Sequence, residues 1–353
     1  MRAKNGRMGS GEMSSDPAAD LSVEATVQLA EVGQAAVAAA TRAPSVHNTQ
    51  PWRFRLVGDR VELLADFSRK LSVLDPTGRQ LYVSCGAALH HLRVALRAAG
   101  YDAAVSLLPD GDGGERLATV LVTVGAAADK PAAALAAAIG ERHTQREPFA
   151  ERRVAHATLA ELRQAAETEG AWLALLEARD DQITLAVLQS HADQLERDNP
   201  DYQVELAAWR RTDPTDRAAD GIPTSALPTA TERHAEVPVR DFAAHEPTNP
   251  DTDTGSDTPP PDERPALVIL GTDADTPAQW LAAGQALSRL LLQATVLGLR
   301  ASMLGQVIDL PGTRGQLRTL LRLIGEPQMV LRIGYGPTAP PTPRRPLSDV
   351  LIT

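Results

Sequence analysis

The stretch Ala43-Pro44-Ser45-Val46-His47-Asn48-Thr49-Gln50-Pro51-Trp52 sets how the rest of the chain is read. Pro44 and Pro51 fix the backbone at both ends of a short loop. Between them Ser45, His47, Asn48, Thr49 and Gln50 all carry hydrogen-bonding side chains. The alternation Trp52, Phe54, Leu56 that follows is that of a half-buried strand. A short, stiff, polar loop between a helix and a strand can hold a flat polar heterocycle or a sugar. Ser, Asn and Pro also make plain connecting turns, so the loop by itself leaves both readings open.

Upstream of the loop, Val23, Val27, Ala30 and Val37 fall near a 3.6-residue period and predict a helix over 21–40. Residues 1–20 are rich in Gly, Ser, Asp and Met and read as a disordered tail. Downstream, strands are expected at 52–56 and 61–65, a helix at 81–99 closed by Gly100, strands at 104–108 and 117–124, and a helix at 130–139. A second set starts at Glu141, with a helix at 155–167, a strand at 172–177 and helical pattern through 183–208. Residues 211–242 are irregular, a candidate lid. Residues 244–264 are acidic, Pro-rich and without large apolar side chains, and read as a disordered loop. A strand at 266–270, helix at 277–297, strand at 301–304, short helix at 314–321 and strand at 328–333 complete the pattern.

One internal similarity suggests two related halves, 21–140 and 141–353. Gly86-Ala87-Ala88-Leu89-His90-His91-Leu92 is echoed by Gly284-Gln285-Ala286-Leu287-Ser288-Arg289-Leu290. Each run is closed by a glycine at the same spacing, 100 − 86 = 14 and 298 − 284 = 14. A glycine on the face of such a helix points to close helix packing.

Composition bounds the function. The chain has 353 residues, enough for two domains or one large one. Aromatics are only 3%, so the core must be built of Ala, Leu and Val. The net charge of 35 − 45 = −10 argues against non-specific nucleic-acid binding. The single cysteine, Cys85, excludes an intramolecular disulfide and any Cys-rich metal site, and its Ala-rich helix marks it as a packed small residue. No apolar run reaches membrane-spanning length and no signal peptide is visible, so a cytoplasmic location is expected. His47, His90 and His91 lack metal-ligand spacing with acidic partners, so no metal is expected. Asp110-Gly111-Asp112-Gly113-Gly114 is a hairpin turn signal and lacks the calcium-loop pattern. Neither a Gly-x-Gly-x-x-Gly after a strand nor a Gly-x-Ser-x-Gly elbow occurs.

Three further segments bear on a site. Arg142-His143-Thr144-Gln145-Arg146-Glu147-Pro148-Phe149 sets two arginines and a hydroxyl close together, suited to a phosphate or simply a solvated helix start with an Arg–Glu pair. Gly298 to Gln306 follows the second glycine-marked helix, and its Met303 and Leu304 are either ring-packing or ordinary buried strand residues. The C-terminus runs Leu331-Arg332-Ile333-Gly334-Tyr335-Gly336-Pro337, then a Pro-stiffened arm presents Arg344 and Arg345, or lies along the surface.

Taken together these segments resemble the flavin-dependent nitroreductases. The 43–52 stretch resembles their Pro-Ser-Ser-x-Asn-x-Gln-Pro-Trp loop, which crosses a dimer interface to the flavin of the other subunit. Arg142 to Phe149 resembles their Arg-Arg-Ser-x-Arg-x-Phe opening, and the C-terminus their Ile-Gly-Tyr end and basic pair. The glycine-marked helix resembles the central helix of each subunit, present twice here. The polar loop occurs only in the first half; Glu169-Gly170-Ala171-Trp172 stands at the matching point of the second. The arginine segments occur only in the second half. One composite site between two halves is therefore expected, as in the Acg-like branch of single-chain nitroreductases. Asp220-Gly221-Ile222-Pro223 and Val239-Arg240-Asp241-Phe242 also fit that branch. The resemblance spans about residues 25 to 353.

It implies an α+β fold of two tandem nitroreductase-like halves, each a mixed or antiparallel sheet packed by helices, mimicking a homodimer within one chain that is a monomer or a weak dimer. It implies FMN as cofactor and NAD(P)H as reductant, with small molecules such as nitroaromatics or quinones reduced at the flavin. The FMN contacts it implies are Pro44, Ser45, His47, Asn48 and Gln50; Arg142, Thr144 and Arg146; Ser302, Met303, Leu304 and Gly305; and Arg344 and Arg345. No side chain need act as acid or base in a hydride step, so no catalytic residue is assigned. The alternative is an Acg-like protein that binds or sequesters flavin with little turnover, its 211–242 segment closed over the ring. Val46 stands where the family loop carries a second serine, so either His47 or Thr49 replaces that contact or the affinity is lower.

Overall fold

The computed structural model describes residues 17–211, 218–223 and 263–352, with the backbone alone for 17–26. The first half opens with α1 (Pro17–Ala40), which starts inside the segment read as a tail; residues 1–16 lie outside the described residues. The hairpin β1 (Trp52–Val57) and β2 (Arg60–Ala65) leads to α2 (Arg79–Ala98), then β3 (Tyr101–Leu107), β4 (Arg116–Val124) and α3 (Lys130–Glu141). The start of α2 is fixed by Asp75, whose carboxylate accepts the backbone N–H groups of Gln80 (3.0 Å) and Leu81 (2.9 Å). Gly100 ends it at φ 85°, a left-handed conformation suited to glycine.

The second half runs α4 (His156–Thr168), β5 (Trp172–Leu175), α5 (Arg179–Asp198), α6 (Pro200–Trp209), β6 (Arg210–Arg211), β7 (Ile222–Pro223), β8 (Ala266–Thr272), α7 (Pro277–Val296), β9 (Arg300–Leu304), α8 (Gln306–Asp309), α9 (Pro311–Leu320) and β10 (Glu326–Gly334). The helical pattern expected over 183–208 is two helices, because Pro200 breaks the first and Asn199 caps the second, accepting from Asp201 N and Tyr202 N. Of the candidate lid only 211 and 218–223 are described; Val239 to Phe242 and all but the last two residues of the 244–264 loop lie outside the described residues.

The two halves repeat one topology. The first sheet is ordered β1-β2-β4-β3 and the second β5-β8-β10-β9, all antiparallel between neighbours. The halves differ in what covers them. The first sheet's inner face packs on α1 and α2 through Trp52, Phe54, Leu63 and Leu89, while its edge strand β3 alternates half-buried and exposed residues. The second sheet is covered twice, by α4 and α7 on one face and by α5, α8 and α9 on the other. Its central strands are accordingly buried almost throughout.

α2 and α7 are both 20 residues long and cross at Gly86 and Gly284. A Cβ on Gly86 would lie 2.2 Å from the Leu281 carbonyl oxygen, and one on Gly284 would lie 2.0 Å from that of Val83. Equivalent positions further along also meet. His90 Nδ1 and Ser288 Oγ are 2.8 Å apart, and the rings of Tyr82 and Trp280 pack edge to face at 5.7 Å. After β10 the chain leaves the second half along a Pro-rich arm. It forms α10 (Leu347–Val350), and β11 (Leu351–Ile352) pairs in parallel with Phe54 and Arg55 of β1. That return of the C-terminus to the first sheet is the part of the architecture not expected from sequence.

Adding a methyl group at the crossing must push two backbones apart. Gly86→Ala is expected to lose about 1–3 kcal/mol or more of stability in a chemical denaturation curve. Gly140→Ala, in helical backbone with open space around the new methyl, is expected to be neutral or to gain up to about 1 kcal/mol.

Candidate functional site

The polar loop is a strained turn. His47 (φ 46°), Asn48 (54°) and Gln50 (50°) all adopt left-handed backbone, a conformation that costs about 1–3 kcal/mol each for non-glycine residues and persists only when the surroundings impose it. The restraints are visible. Gln50 N donates to Ser45 Oγ (2.9 Å), Val46 N to Ser84 Oγ of α2 (3.2 Å), and Asn48 N to the Ser45 carbonyl (3.0 Å). Cys85 Sγ donates to the Pro51 carbonyl (3.2 Å), and burial pushes its thiol far up, which suits a packed hydrogen-bond donor and not a nucleophile. The fully buried Gln50 side chain ties three segments together. Its Nε2 donates to the Ala219 carbonyl (2.8 Å) and its Oε1 accepts from Arg345 N (2.9 Å).

The loop forms one wall of a cavity with about 140 Å³ open to water between the two halves. Pro44, Ser45, His47 and Asn48 come from the first half, together with Gln80, Val83 and Ser84 of α2. The second half contributes Leu287 of α7, then Ser302, Met303 and Gly305 along β9, which is the outer strand of its sheet. Arg142, Thr144 and Arg146 line one end because Thr144 bridges Ala301 and Gln145 N donates to the Ala301 carbonyl (2.8 Å). The C-terminal arm closes over that end with Arg344, whose Nη1 donates to Asn48 Oδ1 (3.1 Å) and Thr342 Oγ (2.6 Å).

This end carries uncompensated positive charge. Burial and repulsion from Arg146 and Arg42 hold Arg142 down at about 10. Burial holds Arg146 at about 10, and burial with repulsion from Arg142, Arg42 and Arg146 holds Arg344 at about 9. The Nε atoms of Arg142 and Arg344 are buried with no acceptor among the described residues. Converging guanidiniums without a carboxylate among their charged neighbours have the chemistry that suits an anion. The opposite end is different. Asp309 takes a buried ion pair from Arg79 (3.2 Å) and a hydrogen bond from Gln80 Nε2, which orients the Gln80 amide at the cavity wall. The span from Ala301 to Gly305, four strand steps, is about 13 Å.

Three of the expected contacts stand outside this wall. Leu304 is buried in the core between the second sheet and its outer helices. Gln50 holds the loop from behind, and Arg345 turns to the Gln50 carbonyl (3.2 Å) and toward Asp66 (3.9 Å). Val46, in place of a serine, packs against the cluster of Leu71, Leu74, Tyr202, Leu206 and Ile222. Gln80, Ser84 and Asp309 went unread in the sequence. The i, i+4 spacing of Gln80 and Ser84 within the mostly apolar run 80–89 of α2 is the available signal. The described part of the candidate lid also reaches the wall, at Gly221, Ile222 and Pro223. Among the described residues no cluster of His, Cys, Asp and Glu is placed to hold a metal ion, and no helix is long and apolar enough to cross a membrane.

Fold and site together describe a protein of two topologically similar halves with an arginine-lined cleft between them. No protein-family model matches the sequence. The chain is similar to several Mycobacterium tuberculosis proteins. "Putative NAD(P)H nitroreductase Rv3131" is 35% identical over 327 residues, 91% of this chain and 91% of that protein. "Putative NAD(P)H nitroreductase acg" is 32% identical over 329 residues, 92% of this chain and 96% of that protein. A crystal structure described as "a putative nitroreductase in complex with fmn", from Desulfovibrio desulfuricans, superposes with a TM-score of 0.36 at 15% identity, covering 62% of this chain and 95% of that one. The chain belongs to the nitroreductase family, in its Acg-like branch.

A buried cation without a carboxylate partner weakens the fold that carries it. Arg142→Met is expected to stabilise the ligand-free protein by about 1 kcal/mol or more in thermal or chemical denaturation, while weakening its affinity for phosphate.

Proposed function

We propose that the chain is an FMN-dependent oxidoreductase with one composite flavin site. The observation that carries this reading is the convergence of the strained polar loop of one half with three unneutralised arginines of the other. The residues fit the group. Arg142, Thr144, Arg146 and Arg344 suit its phosphate, Pro44, Ser45, His47 and Asn48 supply a polar edge, and Leu287, Ser302, Met303 and Gly305 a flatter, more apolar wall. Bound FMN would supply hydride transfer from NAD(P)H to an acceptor such as a nitroaromatic or quinone. The chain's own part is to bind, orient and shield. Gln50 and Ser45 keep the loop in its strained form, and Arg79 and Gln80 fix Asp309 at the far end.

A second reading, flavin storage with little turnover, is favoured by one feature. Residues 218–223 are latched beside the loop. Gly221 N donates to the Asn48 carbonyl (3.3 Å), β7 pairs with β6, and Asp220 is held by Arg69 and Arg211 (2.7 Å to Arg211). Burial raises the Asp220 carboxyl, but hydrogen bonds from Arg211 and Arg69 outweigh it and leave it below its usual range. The latch is therefore charged and closed at neutral pH.

Titration with FMN tests the binding reading. Arg344→Ala is expected to weaken FMN about tenfold to a hundredfold, the worth of a charge-assisted hydrogen bond or two. Bound phosphate favours the protonated guanidiniums, so affinity should be flat from about pH 7, where the phosphate is mostly dianionic, to about pH 9, and fall as pH rises through 9 to 10. Unchanged affinity in the variant would remove the arginine cluster from the site. Anaerobic addition of NADH or NADPH to FMN-loaded protein separates the two readings. Bleaching of the flavin bands means turnover. Bands that bleach only in Asp220→Ala mean that the latch withholds the flavin.

A further inference from the structure

A second cavity of about 250 Å³ lies behind the arginine cluster. Arg142, Thr342 and Arg344 line both cavities and form the partition between them; Arg42 and His143 line only the outer one. The outer chamber is strongly cationic. The backbone carbonyl of Arg42 accepts weakly from Arg142 Nη2 and Arg344 Nη2, both at 3.4 Å, so these two guanidiniums converge beside the Arg42 backbone, and the exposed Arg42 residue lines the same chamber. The same field, after burial, depresses His143, with Arg142, Arg344 and Arg42 as the neighbouring cations. Charge counting separates the two chambers. Arg42, Arg142, Arg146 and Arg344 carry four positive charges, whereas one phosphate monoester brings about −1.5 to −2 at neutral pH. A single phosphate in the inner cavity therefore leaves about two charges unneutralised.

We propose that the outer chamber is a second anion site, formed by Arg42, His143 and the outer faces of Arg142 and Arg344, that takes a phosphoryl group. The phosphoryl group comes either as free inorganic phosphate or as the second phosphate of a flavin dinucleotide; the latter source rests on the flavin reading above. Planar guanidiniums converging on one small volume, with no carboxylate among their charged neighbours, favour a compact tetrahedral dianion.

The test is calorimetric titration of inorganic phosphate, at constant ionic strength, into FMN-loaded and flavin-free protein, each as wild type and as Arg42→Ala/His143→Ala. Free phosphate as ligand predicts binding to FMN-loaded wild type, at least roughly tenfold weaker binding in the double variant, and FMN affinity unchanged within about twofold. Phosphate carried on the flavin predicts that FAD binds at least roughly tenfold tighter than FMN, that the double variant abolishes the advantage, and that FAD-loaded protein no longer takes phosphate. Phosphate that binds only flavin-free protein, is displaced by FMN and is indifferent to the double variant would overturn the proposal, because it would be sitting in the flavin's own phosphate seat. Should FMN itself fail to bind, the flavin reading falls, and the flavin-free titration still decides. A tenfold loss in the double variant supports the chamber, and no loss overturns it.

Discussion

Everything in this molecule is arranged around the contact of Gly86 with Gly284. Without side chains there, α2 and α7 approach until the backbone of one helix touches that of the other. The halves are thereby fixed as if they were two subunits of a dimer. Val83 and Ser84 lie just before Gly86 and Leu287 just after Gly284, so the same crossing that joins the halves also builds the floor of the cleft. Packing and function are inseparable here: a methyl group at the crossing would spread the helices and widen the cavity they line.

The pseudo-symmetry of the crossing would by itself create two clefts, and the chain equips one. Equivalent helix positions are 284 − 86 = 198 residues apart. Gln80 and Ser84 of the described cleft therefore correspond to Ala278 and Ala282 on the other side, which offer nothing to hydrogen-bond. Where the first half carries its strained loop, the second half carries Glu169. That carboxylate is already engaged by Arg93 (2.5 Å) and Arg289 (3.3 Å). Its charge is thereby already compensated. Arg142, Arg146 and Arg344 line the described cleft, and the C-terminal arm that brings Arg344 ends by adding a strand to the opposite half. The two sides of the crossing are thus unequally equipped, and the arm that closes the arginine-lined one also pins the halves together.

Much of this was legible in sequence because it rests on short-range chemistry. The Pro-bounded loop, the two arginines around Thr144, and the matched glycine-marked helices each carry their meaning within ten or so residues. The repeat showed that two similar helices exist; that their glycines touch each other is a tertiary fact and needed the structure. β11 was invisible because two residues after a proline-rich arm carry no periodic signal, and its pairing is set by where the arm lands. Gln50 illustrates a different limit. Its place in the loop suggested a ligand contact, yet its side chain is spent on Ala219 and Arg345, holding the segments that make the wall. Leu304 lies outside the wall for a simpler reason. Side chains alternate along β9, so Leu304 faces the opposite core to Met303.

The pseudo-symmetry with only one equipped side leads to a definite number. Native mass spectrometry of the flavin-reconstituted protein, paired with absorbance of the released flavin, counts FMN per chain. One composite site between two unequal halves requires one FMN per chain at saturation, with a monomeric chain sufficient to hold it. Two FMN per chain would show that the Glu169 side is also a working cleft, and none at all would contradict the flavin reading.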